Sequence, residues 1–182
     1  MTLQNVLFAP QSSWSVPDVF PQFSETETVA IDLETYDPHL MTCGPGWATG
    51  RGHVVGIGVA TKDWEGYFPI RHEGGGNLDE GMVLRWLTKL LSSTKREVVF
   101  HNALYDVGWL RREGVIVKGK ILDTIIAAPL INENRFSYSL DNLGAAYCDE
   151  KKDESLLQDA ALAFGINPKS EMYKLHAKYV GP

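Results

Sequence analysis

The sequence predicts an α/β domain built on a mixed sheet, an antiparallel meander joined to parallel strands and flanked by helices. Two observations carry that expectation. Three β-rich segments follow one another between residues 28 and 70 with only loop or turn connections, as a meander requires. From residue 78 onward helix-like and strand-like segments alternate, the signature of parallel strands joined through right-handed crossovers. The composition allows a real core: 182 residues, 44% hydrophobic and 22% charged, ordinary for a globular domain and unlike a disordered chain.

Each element follows from its own residues. Residues 1–27 mix Pro, Ser and Gln with scattered aromatics (Phe8, Trp14, Phe20, Phe23) and read as an irregular lead-in packed on a domain spanning 28–182. Thr28-Val-Ala-Ile-Asp-Leu-Glu34 is the first strand. The Gly- and Pro-rich stretch 36–52 reads as a loop. His53 to Thr61 is a second strand, whose glycines mark a bulge or close backbone approach, and Trp64 to Ile70 a third. A flexible loop, His72-Glu-Gly-Gly-Gly-Asn77, leads to a helix over 78–91, where Met82, Val83, Trp86, Leu87, Leu90 and Leu91 recur at helical spacing. The continuous apolar run in Glu97-Val-Val-Phe100 predicts a buried strand. A helix over 103–112 is then stopped by Gly114. A short strand falls within 115–122, a helix capped by Asp123 runs to 131, and another starts near Ser139. After Cys148 a charged run, 149–154, reads as a solvated loop, with helical segments near 155–164 and 170–177. This element order fits an RNase H-like α/β domain.

Composition also excludes function classes. The N-terminus lacks the basic and apolar regions of a secretory signal, and no apolar run is long enough to span a bilayer. Cys43 and Cys148 match no metal-ligand spacing and no disulfide framework, which points to a reducing cytosolic compartment. The net charge of −6 argues against gripping nucleic acid over a broad basic face. Clustered carboxylates that bind cations reverse the field locally, and a single-stranded end can be held by stacking and a few contacts.

Asp32 and Glu34 sit two apart on the first strand, so both side chains leave one face with Ala30, while Val29, Ile31 and Leu33 leave the other. Like charges on one face destabilise a strand unless a cation such as Mg²⁺ compensates them. The plain alternative is a solvent-facing half of an edge strand. His101-Asn-Ala-Leu-Tyr-Asp106 follows the apolar fourth strand, which puts Asn102 near the sheet end and Asp106 one helical turn later, within reach of Asp32. An N-cap and a first-turn acid would account for those two residue types, but not for their order relative to Asp32-x-Glu34. His53, His72 and His176 share no ligand spacing and read as surface or loop residues.

Together these motifs resemble a DnaQ-like (DEDD) 3′→5′ exonuclease, and in particular the proofreading domain of family A DNA polymerases, a phage-encoded one among them. Asp32-Leu-Glu34 is similar to the family's first motif and Asn102-Ala-Leu-Tyr-Asp106 to its second, Asn-x-x-x-Asp. Tyr67-Phe-Pro-Ile-Arg-His72, Leu122-Asp-Thr-Ile-Ile-Ala-Ala128 and Ser137-Tyr-Ser-Leu-Asp-Asn-Leu143 resemble the segments around them, so the likeness spans roughly residues 28–147. It implies that Asp32 bridges two Mg²⁺ or Mn²⁺ ions, that Glu34 binds one and orients the attacking water, and that Asp106 binds the other. Thr35, Asn102 and Tyr105 would bind the terminal nucleotide. Asp123 would cap a supporting helix. The implied partners are a single-stranded DNA 3′ end and a polymerase domain of the same parent chain, with no membrane, in a bacterial host cytosol if phage-encoded.

The third motif, Tyr-x-x-x-Asp or His-x-x-x-x-Asp, is missing. Four positions after Tyr138, Tyr147 and Tyr173 stand Asn142, Lys151 and Ala177, and five after His176 stands Gly181. Tyr179 would need its acid beyond Pro182, so the expectation is a chain cut before its last catalytic helix, with an incomplete two-metal site, weak metal binding and low or no hydrolysis. The competing expectations are an RNase D-like exonuclease and a non-catalytic single-strand-binding or structural platform of the same fold.

Overall fold

The computed structural model describes residues 9–150 and 152–182; residues 1–8 of the lead-in, and Lys151 of the charged run, lie outside the described residues. Strands β1 (Val29–Tyr36), β2 (His53–Ala60) and β3 (Glu65–Pro69) form the antiparallel meander. Strand β4 (Glu97–Phe100) pairs parallel to β1, and β5 (Lys120–Asp123) parallel to β4. The sheet order is β3-β2-β1-β4-β5, the mixed α/β sheet that the sequence predicts. The strand expected within 115–122 is short because pairing with β4 begins only at Lys120.

Alternation along β1 sends Val29, Ile31 and Leu33 into the core, where they are 0%, 3% and 7% exposed. The same core takes Phe68, Leu87, Phe100, Trp109 and Leu110. Helix α3 (Glu80–Leu91) starts at Asp79, whose carboxylate accepts the Met82 N–H at 2.7 Å, and buries Val83, Leu87, Leu90 and Leu91. Each such side chain contributes roughly 1.5–3 kcal/mol on burial. Helix α4 (Ala103–Arg112) ends at Gly114, which takes φ 79°, and buries Trp109 and Leu110. Helices α5 (Thr124–Ile131), α6 (Leu140–Tyr147, capped by Ser139) and α7 (Ser155–Phe164) complete the chain with two 3₁₀ turns, Met172–Lys174 and Ala177–Tyr179. The expected helix at 170–177 is therefore two separate turns, because the chain extends at Leu175 between them, at ψ 157°.

Residues 9–27 contain no regular element, yet they are well anchored. Phe20 stacks on Phe68 at 5.8 Å, and the Trp86 indole donates to Pro21 O at 2.9 Å. Arg96, 3% exposed, gathers the carbonyls of Leu90, Ser24 and Glu27. The 36–52 stretch, expected as plain loop, holds two one-turn helices, α1 (Leu40–Cys43) and α2 (Gly46–Thr49). Its anchor is Asp37, whose carboxylate accepts the Gly46 N–H at 2.8 Å and the Tyr105 hydroxyl at 3.1 Å.

Candidate functional site

The polar face of β1 opens on a cleft of about 630 Å³ that Asp32 and Glu34 share with Ala30, Gly58, Tyr67 and Phe100. Strand geometry puts the two acids roughly 6.6 Å apart along the chain. Across the ladder, Asp32 faces Gly58 and Glu34 faces Gly56. Neither partner has a side chain, so the acids stand over bare backbone. A Cβ on Gly56 would lie 2.0 Å from the Tyr67 hydroxyl oxygen, which occupies that space beside Glu34. Immediately past Glu34 the register shifts, so that Thr35 pairs with Val54 and Val55 is the extra residue.

Asp106 approaches from α4 and is 4% exposed. Burial, then the Asp32 charge, pushes its carboxyl up to about 7, with the Leu33 amide pulling partly the other way. Glu34 is also pushed up to about 7, first by burial and then by Asp32. Neither acid has an ion-pair partner among the described residues. A cation whose charge reaches Glu34 is Lys152, whose own salt bridge runs to Glu154 at 2.9 Å. Burial opposes its ammonium form, but Glu154, Glu34 and Asp32 together hold its pKa above the usual range. The charged run read as a solvated loop thus places a lysine beside the acids.

The other sequence-predicted residues are placed differently. Asn102 sits at the N-cap of α4 with φ 81°, and its side chain makes no capping bond. That capping is done by Asp123, whose two oxygens accept the N–H groups of Asn102 at 3.0 Å and Ala103 at 2.8 Å, while also accepting from Ile125 at the start of α5. Thr35 and Tyr105 hydrogen-bond each other at 2.8 Å, and Tyr105 reaches on to Asp37. None of Asn102, Thr35, Tyr105 or Asp106 lines the cleft that Asp32 and Glu34 share. Sequence reasoning missed Tyr67 and His72. His72, expected at the surface or in a loop, is 3% exposed and 2.7 Å from the Tyr67 hydroxyl, because the C-terminal segment covers it. The available signal was Gly56 and Gly58, which face the two acids and leave room for a side chain from β3.

An all-oxygen set of three carboxylates, with Asp106 buried and Glu34 half-buried and neither in an ion pair among the described residues, suits a hard divalent ion. Among the described residues, no three such groups already stand at metal-holding distances. No helix among them is long and apolar enough to cross a membrane.

A family model described as 3′-5′ exonuclease, DNA_pol_A_exo1, matches residues 15–178. The chain belongs to that family. It is 40% identical over 188 aligned residues to a DNA-directed DNA polymerase of Pseudomonas phage M6, covering 98% of this chain and 28% of that protein. It is 30% identical to DNA polymerase DpoZ of Salmonella phage PMBT28, covering 81% of this chain and 21% of that protein. The chain thus spans about a quarter of the length of these polymerases. Among solved structures, Brucella melitensis NrnC with bound Mg²⁺ superposes with a TM-score of 0.53 at 19% identity, over 76% of this chain and 67% of that one. Escherichia coli RNase D, described as an exoribonuclease, gives 0.50 at 16% identity, over 81% and 35%. At such identities these likenesses establish the shared fold alone.

Proposed function

We propose that this exonuclease-family chain is the proofreading region of a DNA polymerase, removing nucleoside monophosphates from the 3′ end of single-stranded DNA. One observation supports the reading above the rest: Asp106 is 4% exposed, lies close enough to Asp32 for that charge to raise its pKa, and has no cationic partner among the described residues. A purely structural domain gains nothing from such an arrangement. Asp32, Glu34 and Asp106 would hold Mg²⁺ or Mn²⁺. When bound, two such ions stabilise the attacking and leaving oxygens of an in-line displacement.

The remaining work falls to the chain itself. Glu34 would accept a hydrogen bond from the attacking water and so orient it. The bare backbone at Gly58 leaves space for the terminal phosphodiester against the acids. Asn102, exposed and with its side-chain amide unused in capping, would bind the terminal nucleotide. Thr35 and Tyr105 would shape the wall beside it, held in place by Asp37. A polymerase domain of the same parent chain would supply the strand end.

The test is digestion of 5′-labelled single-stranded DNA with Mn²⁺ or Mg²⁺, beside an Asp32→Ala control. The expected result is slow shortening from the 3′ end, absent in the control; slow, because only three acids of the family pattern are present. Shortening that survives Asp32→Ala would remove the acids from the mechanism. No shortening at any metal concentration would favour a non-catalytic platform.

A further inference from the structure

Beside the acids runs a buried polar chain that the proposed reaction leaves unused. Tyr67 is 7% exposed and His72 3%. The Tyr67 hydroxyl lies 2.7 Å from His72 Nε2, and His72 Nδ1 lies 3.0 Å from the carbonyl oxygen of Leu175. A carbonyl only accepts, so Nδ1 carries the proton, Nε2 is bare, and the Tyr67 O–H donates to it. Burial keeps this histidine neutral, its pKa pushed down to about 4. The Tyr67 proton is thereby committed away from the carboxylates. Its oxygen, seated over Gly56 next to Glu34, offers the cleft only lone pairs.

On the far side of His72, the C-terminal segment is seated on the 72–76 loop. The Glu73 N–H donates to Tyr173 O at 2.8 Å and the Ala177 N–H to Gly75 O at 3.0 Å. The glycines expected to make this loop flexible serve close packing. A Cβ on Gly74 would stand 2.3 Å from His176 N and 2.4 Å from the Leu175 carbonyl carbon. From that seat the chain passes through the last 3₁₀ turn to Val180, Gly181 and Pro182, which line the cleft of Asp32 and Glu34. Gly181 packs against the Trp14 ring, where a Cβ would come within 2.3 Å.

We propose that His72 and Gly74 are positioning residues of the acid site, latching residues 173–177 onto the 72–76 loop. The latch holds the Tyr67 oxygen beside Glu34 and makes residues 180–182 a wall of the cleft. Two acceptors on one cleft hold a donor between them, and a water molecule fits that role. The purpose of the latch rests on the nuclease reading of the acids; its existence does not.

Three variants of the full chain test it: His72→Leu, Gly74→Ala and His72→Gln. The readouts are amide exchange at Ala177 and Gly181, Mn²⁺ affinity, and digestion of labelled single-stranded DNA. A glutamine amide carries both a donor for Leu175 O and an acceptor for Tyr67. We expect His72→Leu and Gly74→Ala to speed exchange at both amides by roughly tenfold or more. Mn²⁺ affinity and cleavage should fall by a similar factor, and His72→Gln should restore all three. Unchanged exchange in both disrupting variants would overturn the latch. Faster exchange with unchanged Mn²⁺ affinity and cleavage would overturn the positioning role. A wild-type chain that neither binds Mn²⁺ nor cuts would defeat the nuclease reading, and the positioning role with it, while exchange would still decide the latch.

Discussion

At the scale of single residues, burial sets the chemistry of the acids more than their identity does. Asp106 and Glu34 are both raised to about 7 by desolvation first and the Asp32 charge second. A carboxyl whose folded pKa is raised contributes stability that is fully present below its unfolded value and lost as pH rises through the folded one. For Asp106 that window runs from 3.8 to about 7, a loss on the order of 4 kcal/mol. Asp106→Asn keeps the shape and removes the charge. In metal-free buffer, the variant's stability relative to wild type should therefore climb between about pH 4 and pH 7 and level off above, read by urea unfolding. Under the proposed metal role, saturating Mn²⁺ should cancel that advantage, since an ion held by Asp106 would favour the folded wild type. A difference that is flat with pH would mean the carboxyl is not held in this environment. The residue types and their order were legible in the sequence because strand alternation alone places Asp32 and Glu34 on one face. The absence of a cationic partner at Asp106 among the described residues was not, since partners come from other elements.

Among elements, the 36–52 connection shows how a segment that reads as coil becomes ordered. Neither α1 nor α2 exceeds one turn, too short to be stable alone. Each contact that fixes them is long-range or crosses the loop: Arg112 donates to Gly46 O at 2.7 Å and Arg51 O at 2.9 Å, and Asp37 accepts from Gly46 and Tyr105. Gly46 is required because a Cβ there would meet Arg51 O at 2.1 Å. Asp37→Ala removes the acceptor shared by Gly46 and Tyr105, leaving a buried donor unpaired at a cost of about 1–3 kcal/mol. The loop should then open, and tryptic cleavage after the exposed Arg51 should accelerate several-fold, with the 3₁₀ turns of the C-terminal segment unaffected. Cleavage at the wild-type rate would mean that the Arg112 contacts suffice. By contrast, α3 and α4 were readable to within two residues of their ends, because the apolar spacing of α3 and the Gly114 stop of α4 lie within their own sequence.

Over the whole molecule, the net charge of −6 makes nucleic-acid binding conditional. Without metal, single-stranded DNA meets a cleft whose lining acids are Asp32, Glu34 and Glu65. Oligonucleotide binding should therefore be undetectable in EDTA and appear with Mn²⁺ or, under non-cleaving conditions, Ca²⁺. The dependence of log affinity on log salt should be shallow, with a slope of roughly −1 to −2, because few phosphates are paired with lysine or arginine. Tight binding in EDTA with a steep slope would point instead to a basic surface away from the acids. The sequence by itself determined the strand order along the chain, the alternation that separates core from acids, and the family likeness carried by Asp32-x-Glu34 and Asn102-x-x-x-Asp106. These are properties of residues close in the chain, where periodicity and spacing act directly. Only the tertiary structure decided that Asp123 caps two helices, that Lys152 stands by the acids, and that the three glycines after Glu73 receive the C-terminal segment. Each of these joins residues distant in sequence, and burial and hydrogen-bond partners exist only once the chain has brought them together.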